Sequence, residues 1–508
     1  QAHTALSDAQ ATAELFLCMR QKMFQLPKGL LERLLSLADS LLYESYMVIE
    51  EVYQKQSLLV EHDLVEVQGL FLRKEKSALS PRKLSKDFQT NIALLGLEER
   101  NLQERFAQKV QKCLQEENIS FIQAQTGIGK TYGYLLPALS LENEGGILLS
   151  VPTKILQNQV MHEEAKKLEE IFHISIHSLK GPQNYLKLDA FHAVLEEEES
   201  NRLYTRFKMQ LLVWLTETDT GDLDEIGQLY RYQQFLPNLV HDGNLHKDSL
   251  FWLEDFWRRG QEKARSCKLL VTNHAYLVTR LEDDPSLLEG RFLILDEAQK
   301  ILLTLENLSR KSYLLTDLLE QLDQALSKEE GMLERRLLES IRFELSYLLE
   351  QFLSGKRKMC PASSIDKLQQ DFSELNLPEF KDYQRFFSSE GEFWLSVSEL
   401  SSKKIEITSS RDQRLLFSKI FPESCQLLGI SATLEISSRV SLPELLGFPQ
   451  ANIYYLDEQF QENQEIFLVN DFPLVTEVSL EEYALAVVEV LEDLSYLEEP
   501  ILVLFTAK

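Results

Sequence analysis

Two short stretches carry residue types whose spacing could do phosphate chemistry. The first is Ala124-Gln125-Thr126-Gly127-Ile128-Gly129-Lys130-Thr131. Glycines in a tight turn let successive backbone N–H groups point inward. A helix N-terminus behind the turn adds its dipole, so a polyphosphate can be cradled there. Lys130 can reach the β- and γ-phosphates, and the Thr131 hydroxyl can ligate Mg²⁺. Ala124 stands where such a loop usually begins with glycine. The second stretch is Asp296-Glu297-Ala298-Gln299, at the end of an apolar run. Here the first carboxylate can hold Mg²⁺ and the second can polarise an attacking water. Either stretch alone also fits a chance turn or a strand end that happens to be acidic. Together their roles are complementary.

The elements that must position these residues follow from the apolar runs. Ile119–Gln123 reads as a buried strand feeding the loop, and Tyr132–Leu139 as the helix leaving it. Arg291–Leu295 reads as the strand that delivers Asp296 and Glu297. Leu97–Glu117 reads as a helix just upstream of the loop, carrying Arg100 and Gln103. A further strand, Gly145–Val151, ends at Pro152 and Thr153, with Gln157 and Gln159 on the helix that follows. Lys268–Ala275 is another strand with a polar end, where His274 reads as a ligand, a base or a residue that orders its neighbours. Gln426–Leu434 ends in Ser431-Ala432-Thr433. Glu465–Asn470 and Pro500–Thr506 read as strands flanking a helix over Leu480–Leu497. Strands alternating with helices give an α/β fold class.

Two long segments interrupt this alternation. Residues 180–265 hold an acidic run and are rich in aromatics, among them Tyr204, Phe207, Trp214, Tyr230, Tyr232 and Phe235. These fit a helical subdomain core or a base-stacking surface, and the core reading is preferred. Residues 301–412 are Leu-rich and read as largely helical. At the other end, residues 25–84 read as a helical connector with a strand-like segment over Leu58–Leu72 and a mixed-charge linker. His3 and Asp8 lie five residues apart at the start of a helix, a spacing that could pair a base with a metal-binding carboxylate.

The chain has 508 residues, enough for about three domains. No run approaches the roughly 18 uninterrupted apolar residues of a membrane span. Five scattered cysteines without a CxxC pair imply free thiols and a reducing, cytoplasmic setting. The net charge of −27 is a poor match for a nucleic-acid binder, so any positive footprint is local. Lys356-Arg357-Lys358, Lys403-Lys404, and Arg73-Lys74 with Arg82-Lys83 could supply one, or be solvated surface runs.

In order, Gln103, the Lys130 loop, Thr153, Asp296-Glu297-Ala298-Gln299 and Ser431-Ala432-Thr433 resemble motifs Q, I, Ia, II and III of superfamily 2 helicases. Two insertions flanking Asp296–Gln299 are similar to the XPD/DinG type. The Ala5-Leu6-Ser7-Asp8 context resembles the last motif of DEDDh 3′–5′ exonucleases, which the DinG proteins of Firmicutes carry in front of the helicase.

The resemblance implies a RecA-like P-loop NTPase lobe with two largely helical insertions and the start of a second RecA-like lobe. Its parts would be 1–24 (exonuclease remnant, with His3 as base and Asp8 as metal ligand), 25–84 (connector), 85–179 with 266–300 and 413–443 (first lobe), 180–265 and 301–412 (insertions, the second arch-like), and 444–508 (second lobe). It implies ATP and Mg²⁺ as cofactors and single-stranded DNA as partner, with no membrane.

Arg100, Gln103 and residues 124–131 would bind ATP, with Gln103 at the adenine. Lys130, Asp296 and Glu297 would be catalytic, with Thr131 and Asp296 on Mg²⁺. Gln299, Ser431 and Thr433 would couple the sites, and Thr153 and Gln157 would touch DNA. XPD-like enzymes hold a 4Fe–4S cluster on four cysteines in the first insertion. Here only Cys267 lies between Thr131 and Asp296, and one thiolate cannot hold it, so no iron–sulfur cluster is expected. The groups that complete catalysis would lie on the second lobe, so this piece of chain is expected to hydrolyse ATP slowly and to lack nuclease activity.

Overall fold

The computed structural model describes residues 5–41, 46–56, 63–75, 80–116, 118–141, 145–197, 201–328, 331–356, 358–375, 377–388, 391–397, 404–411, 416–437, 440–456, 472–473 and 478–494. The chain divides into two units, Gln1–Leu456 and Asp457–Lys508. In the second, the described part is the helix Leu480–Leu494, with Phe472 edge-on to Tyr483. The strands expected at Glu465–Asn470 and Pro500–Thr506 lie outside the described residues.

The first unit is built on seven strands: β1 (Ile119–Gln123), β2 (Ile147–Val151), β3 (Ile176–Ser178), β4 (Leu269–Asn273), β5 (Phe292–Leu295), β6 (Gln426–Ser431) and β7 (Asn452–Tyr455). All pairs are parallel, in the order β7-β1-β6-β5-β2-β4-β3. Parallel strands buried on both faces read as continuous apolar runs, and the two faces separate by alternation. Phe121, Leu148, Leu270, Leu293 and Leu427 enter one core. Ile122, Leu149, Val271, Ile294 and Leu428 enter the other. The outcome is the α/β, RecA-like lobe expected from the motifs.

One boundary moves. The second lobe was expected from residue 444, yet β7 joins the edge of the first sheet beside β1, and the Leu456 N–H donates to the Gln123 carbonyl at 3.1 Å. The first unit therefore runs through Leu456.

The second insertion differs from the helical expectation. Beside the helices Leu315–Lys328, Met332–Leu353 and Ala362–Glu374 it holds an antiparallel sheet of Arg310–Leu314, Ile405–Arg411 and Gly391–Val397. Alternating Phe393 and Leu395 with Ile405 and Ile407 face its separate core.

The first insertion uses its aromatics as core. Tyr204 stacks on Phe235, and Phe207 on Tyr232, each at 4.3 Å between centroids. Phe207, Phe251, Phe256 and Trp257 are buried. Lys180, also buried, is held between Asp222 at 2.5 Å and Asp224 at 2.8 Å.

The connector is not a free linker, because Arg33 pairs with Glu196 and Arg73 with Asp219 of that insertion. Its expected strand is a hairpin, Leu64–Val67 with Leu70–Arg73. The hairpin turns at Gln68-Gly69, both at positive φ. Residues 57–62 lie outside the described residues.

Candidate nucleotide site

In open α/β sheets, ligands bind beyond the carboxyl ends of the strands. The strand order decides which residues meet there. β6 lies between β1 and β5, so Ser431 is interposed between the loop after β1 and the carboxylates after β5.

The loop leaves β1 at Ala124, whose N–H donates to the Ser431 carbonyl at 2.9 Å. Gly127 and Gly129 have φ of +84° and +82°, a conformation open to glycine and costly for other residues. Gly129 caps the helix Lys130–Ser140. That helix lies close to Asn101–Glu116 because Gly133 has no side chain: a Cβ there would sit 2.6 Å from the Phe106 ring. Gln125, Thr126 and Gly127 are exposed, while Ala124 and Ile128 are buried.

Lys130 Nζ pairs with Glu297 Oε1, with the two side chains 11% and 24% exposed. Glu297 Oε2 accepts from Gln299 Nε2 at 2.7 Å, and Gln299 Oε1 accepts from the Ser431 hydroxyl at 2.7 Å. The Thr433 N–H then donates to Ser431 Oγ at 3.1 Å. A continuous polar chain thus runs from Lys130 to the Ser-Ala-Thr turn. Thr433 joins it through its backbone; its exposed position leaves the buried Ser431 to supply the hydroxyl. Burial pushes Glu297 up, but hydrogen bonds from Lys130 and Gln299 outweigh it and hold the carboxyl below its usual range. Glu297 also has φ of +47°, a strained backbone for a non-glycine residue, worth about 1–3 kcal/mol and characteristic of functional positions.

Asp296 is fixed by its own backbone and by the phenol of Tyr134. Its N–H donates to the Ser150 carbonyl at 2.9 Å, and its Oδ1 accepts from the Glu297 N–H at 3.1 Å. Tyr134, fully buried, donates to Asp296 Oδ2 at 3.3 Å and bonds the Thr131 side chain. Burial raises the Asp296 carboxyl to about 6, against the attraction of Lys130 and with the repulsion of Glu297. A divalent cation would relieve that penalty. A carboxylate with a hydroxyl is an oxygen donor set suited to Mg²⁺, so Thr131 and Asp296 fit the ion. Tyr134 touches both, as an outer-shell partner that orients ligands would. Tyr134→Phe is expected to weaken Mg²⁺-dependent nucleotide binding about tenfold and to leave binding in EDTA unchanged. A fluorescent-nucleotide titration in both conditions checks this.

Other expected site residues land differently. Gln103 is buried, and its Nε2 donates to the Gly129 carbonyl at 2.8 Å, so it braces the loop. Arg100 reaches the Gly127 carbonyl at 3.4 Å. Thr153 is exposed and caps the helix Lys154–Val160 by accepting from the Leu156 N–H at 3.3 Å.

Gln157 does not face a ligand. It is fully buried, donating to Ser178 Oγ and to the Leu179 and Val271 carbonyls and accepting from Asn273 Nδ2. That amide ties strand ends together, which overturns its expected DNA contact.

Asp8 is exposed in the first turn of Ala5–Met23, and His3 lies outside the described residues. Of the basic runs, Arg73 pairs with Asp219 and Lys404 with Asp317. Arg357 and Lys403 lie outside the described residues. Cys267 is buried beside the Arg291 guanidinium. Among the described residues no helix is long and apolar enough to cross a membrane. Sequence reasoning missed Tyr134 and Ser150, for which only the packing supplies a signal.

Residues 102–213 match the family model of the DEAD/DEAH box helicases. A curated relative named 3'-5' exonuclease DinG, from Staphylococcus saprophyticus, is 29% identical over 317 residues, which is 59% of this chain and 34% of that protein. A protein of the same name from Staphylococcus aureus is 29% identical over 294 residues, 54% of this chain and 32% of that protein. The chain thus spans about a third of the length of these relatives. Among solved structures, "XPD_Helicase" aligns with a TM-score of 0.38 at 16% identity, covering 70% of this chain and 62% of that one. "Truncated XPD" aligns with a TM-score of 0.37 at 15% identity, covering 70% of this chain and all of that one.

Proposed function

We propose that this chain, a DinG/XPD-like superfamily 2 helicase, is a motor lobe that binds ATP with Mg²⁺ and couples hydrolysis to single-stranded DNA. The observation that carries the reading is the unbroken chain Lys130–Glu297–Gln299–Ser431 across three neighbouring strand ends. Loop N–H groups and Lys130 bind the phosphates. Mg²⁺, when bound on Thr131 and Asp296, would neutralise charge that develops on the phosphoryl oxygens. Glu297 orients and polarises the attacking water. Lys130 must leave Glu297 to reach a phosphate, so nucleotide binding frees that carboxylate for its work. Gln299 and Ser431 then pass the change of partner at Glu297 to the Thr433 turn.

A second reading is favoured by the relatives' name, which is that of a nuclease: the lobe would regulate an exonuclease without unwinding. The discriminating experiment uses the full-length protein on a tailed duplex. ATP turnover with and without single-stranded DNA, strand displacement, and exonuclease rate with and without ATP are measured together. The motor reading expects DNA-stimulated turnover and displacement. ATP-dependent digestion without displacement supports the second reading and removes the first.

A further inference from the structure

His274 is a buried imidazole that the polar chain above does not use. It opens the helix His274–Asp283 directly after β4, where Asn273 caps the helix by accepting from the Tyr276 N–H at 3.0 Å. The ring is fully buried. Its Nδ1 lies 2.7 Å from the Ser150 hydroxyl on β2, the strand between β4 and β5. The same Ser150 accepts the Asp296 N–H through its carbonyl. The ring therefore reaches across β2 toward the turn after β5. Burial disfavours a proton on the imidazole, and the nearby Asp296 and Glu297 backbone opposes that effect. Nε2 is sealed from solvent and closes no hydrogen bond of its own.

If Ser150 donates to Nδ1, the neutral ring carries its proton on Nε2. The turn it faces is the one where Glu297 adopts its left-handed backbone.

We propose that His274 is a positioning residue for Glu297. Its bond to the Ser150 hydroxyl holds the residue whose carbonyl takes the Asp296 N–H; the ring thereby steadies the Asp296-Glu297 turn and fixes the direction in which the Glu297 carboxylate points. The proposal rests on Glu297 being the residue that polarises water. His274 touches no reactant and acts only through that turn.

The test measures steady-state ATP turnover of the full-length protein, and its affinity for a fluorescent ATP analogue, for His274→Ala and His274→Gln. Both are made in the wild-type and Glu297→Gln backgrounds. His274→Ala is expected to lower kcat about 10- to 100-fold, the usual cost of a displaced supporting group. Nucleotide affinity should stay within about twofold. His274→Gln, whose side-chain amide can keep the bond to the Ser150 hydroxyl, should recover most of kcat. In the Glu297→Gln background His274→Ala should add nothing, because the carboxylate it aims is gone.

An unchanged kcat overturns the proposal. So does the same fold-loss in both backgrounds, or a loss of affinity as large as the loss of kcat. Where His274→Ala fails to fold, Ser150→Ala removes the brace and keeps the ring, and is held to the same pattern. Full turnover by Glu297→Gln alone would instead remove the underlying reading of Glu297, and is seen without any His274 variant.

Discussion

Glu297→Gln in the full-length protein is expected to lower ATP turnover by about 10²–10⁴-fold, the range for a positioned general base. Glutamine keeps the shape of the side chain but cannot draw a proton from water. The contact with Lys130 also changes. In the wild type Lys130 is paired with Glu297, and a phosphate must displace that carboxylate. The substitution leaves a neutral competitor, so ATP should bind as tightly as to the wild type or more tightly. A fall in kcat without a rise in Kd is the signature, read from turnover and from titration with a fluorescent analogue. A parallel loss of both would mean that Glu297 is structural.

Lys130→Ala is the second large effect, and it has two parts. Truncating one side of a desolvated charge contact costs about 2–5 kcal/mol, so nucleotide affinity should fall by roughly 30-fold to several thousandfold. The free protein should also lose stability. Glu297 and Asp296 lie side by side, and Lys130 is the cation that offsets both. With side chains 11% and 24% exposed, the Lys130–Glu297 pair is too buried for solvent to replace the lost partner fully.

The sign with pH follows from Glu297. Its pKa is held below 4.5, so the pair's contribution is present above the unfolded value and is lost as pH falls through the lowered one. The gap in Tm between wild type and Lys130→Ala should therefore be full at neutral pH and close in acid. In the Glu297→Gln background Lys130→Ala should destabilise less, because there is no longer a carboxylate to strand.

Lys130, Thr131, Asp296, Glu297, Gln299 and Ser431 could be picked out because each belongs to a short motif whose chemistry suggests a role. Their connection was not. That Ser431 bridges the two motifs depends on β6 entering the sheet between β1 and β5, and no local periodicity encodes strand order. The same gap explains β7. Its four residues carry no clear alternation, and its place at the edge of the first sheet is a long-range fact.

Gln157 shows the reverse failure. A glutamine on a helix after a polar loop looks solvent-facing, yet here it satisfies backbone carbonyls just after β3 and within β4. Tyr134, Ser150 and His274 carry no spacing signal. They acquire meaning from the strands and helix that bring them behind Asp296. In the second insertion Leu-rich helical periodicity masked the two-residue alternation of Phe393 and Leu395, which lie on a strand and face the insertion's own core.

The central claim is that the loop from Ala124 to Thr131, completed by Asp296, is a Mg²⁺–nucleotide site. It is tested most directly by titrating a fluorescent ATP analogue into this chain with Mg²⁺ and with EDTA, beside Lys130→Ala. Saturable binding that strengthens with Mg²⁺ and is lost in Lys130→Ala is the result expected. Binding that is absent, or indifferent to both Mg²⁺ and Lys130, would contradict it.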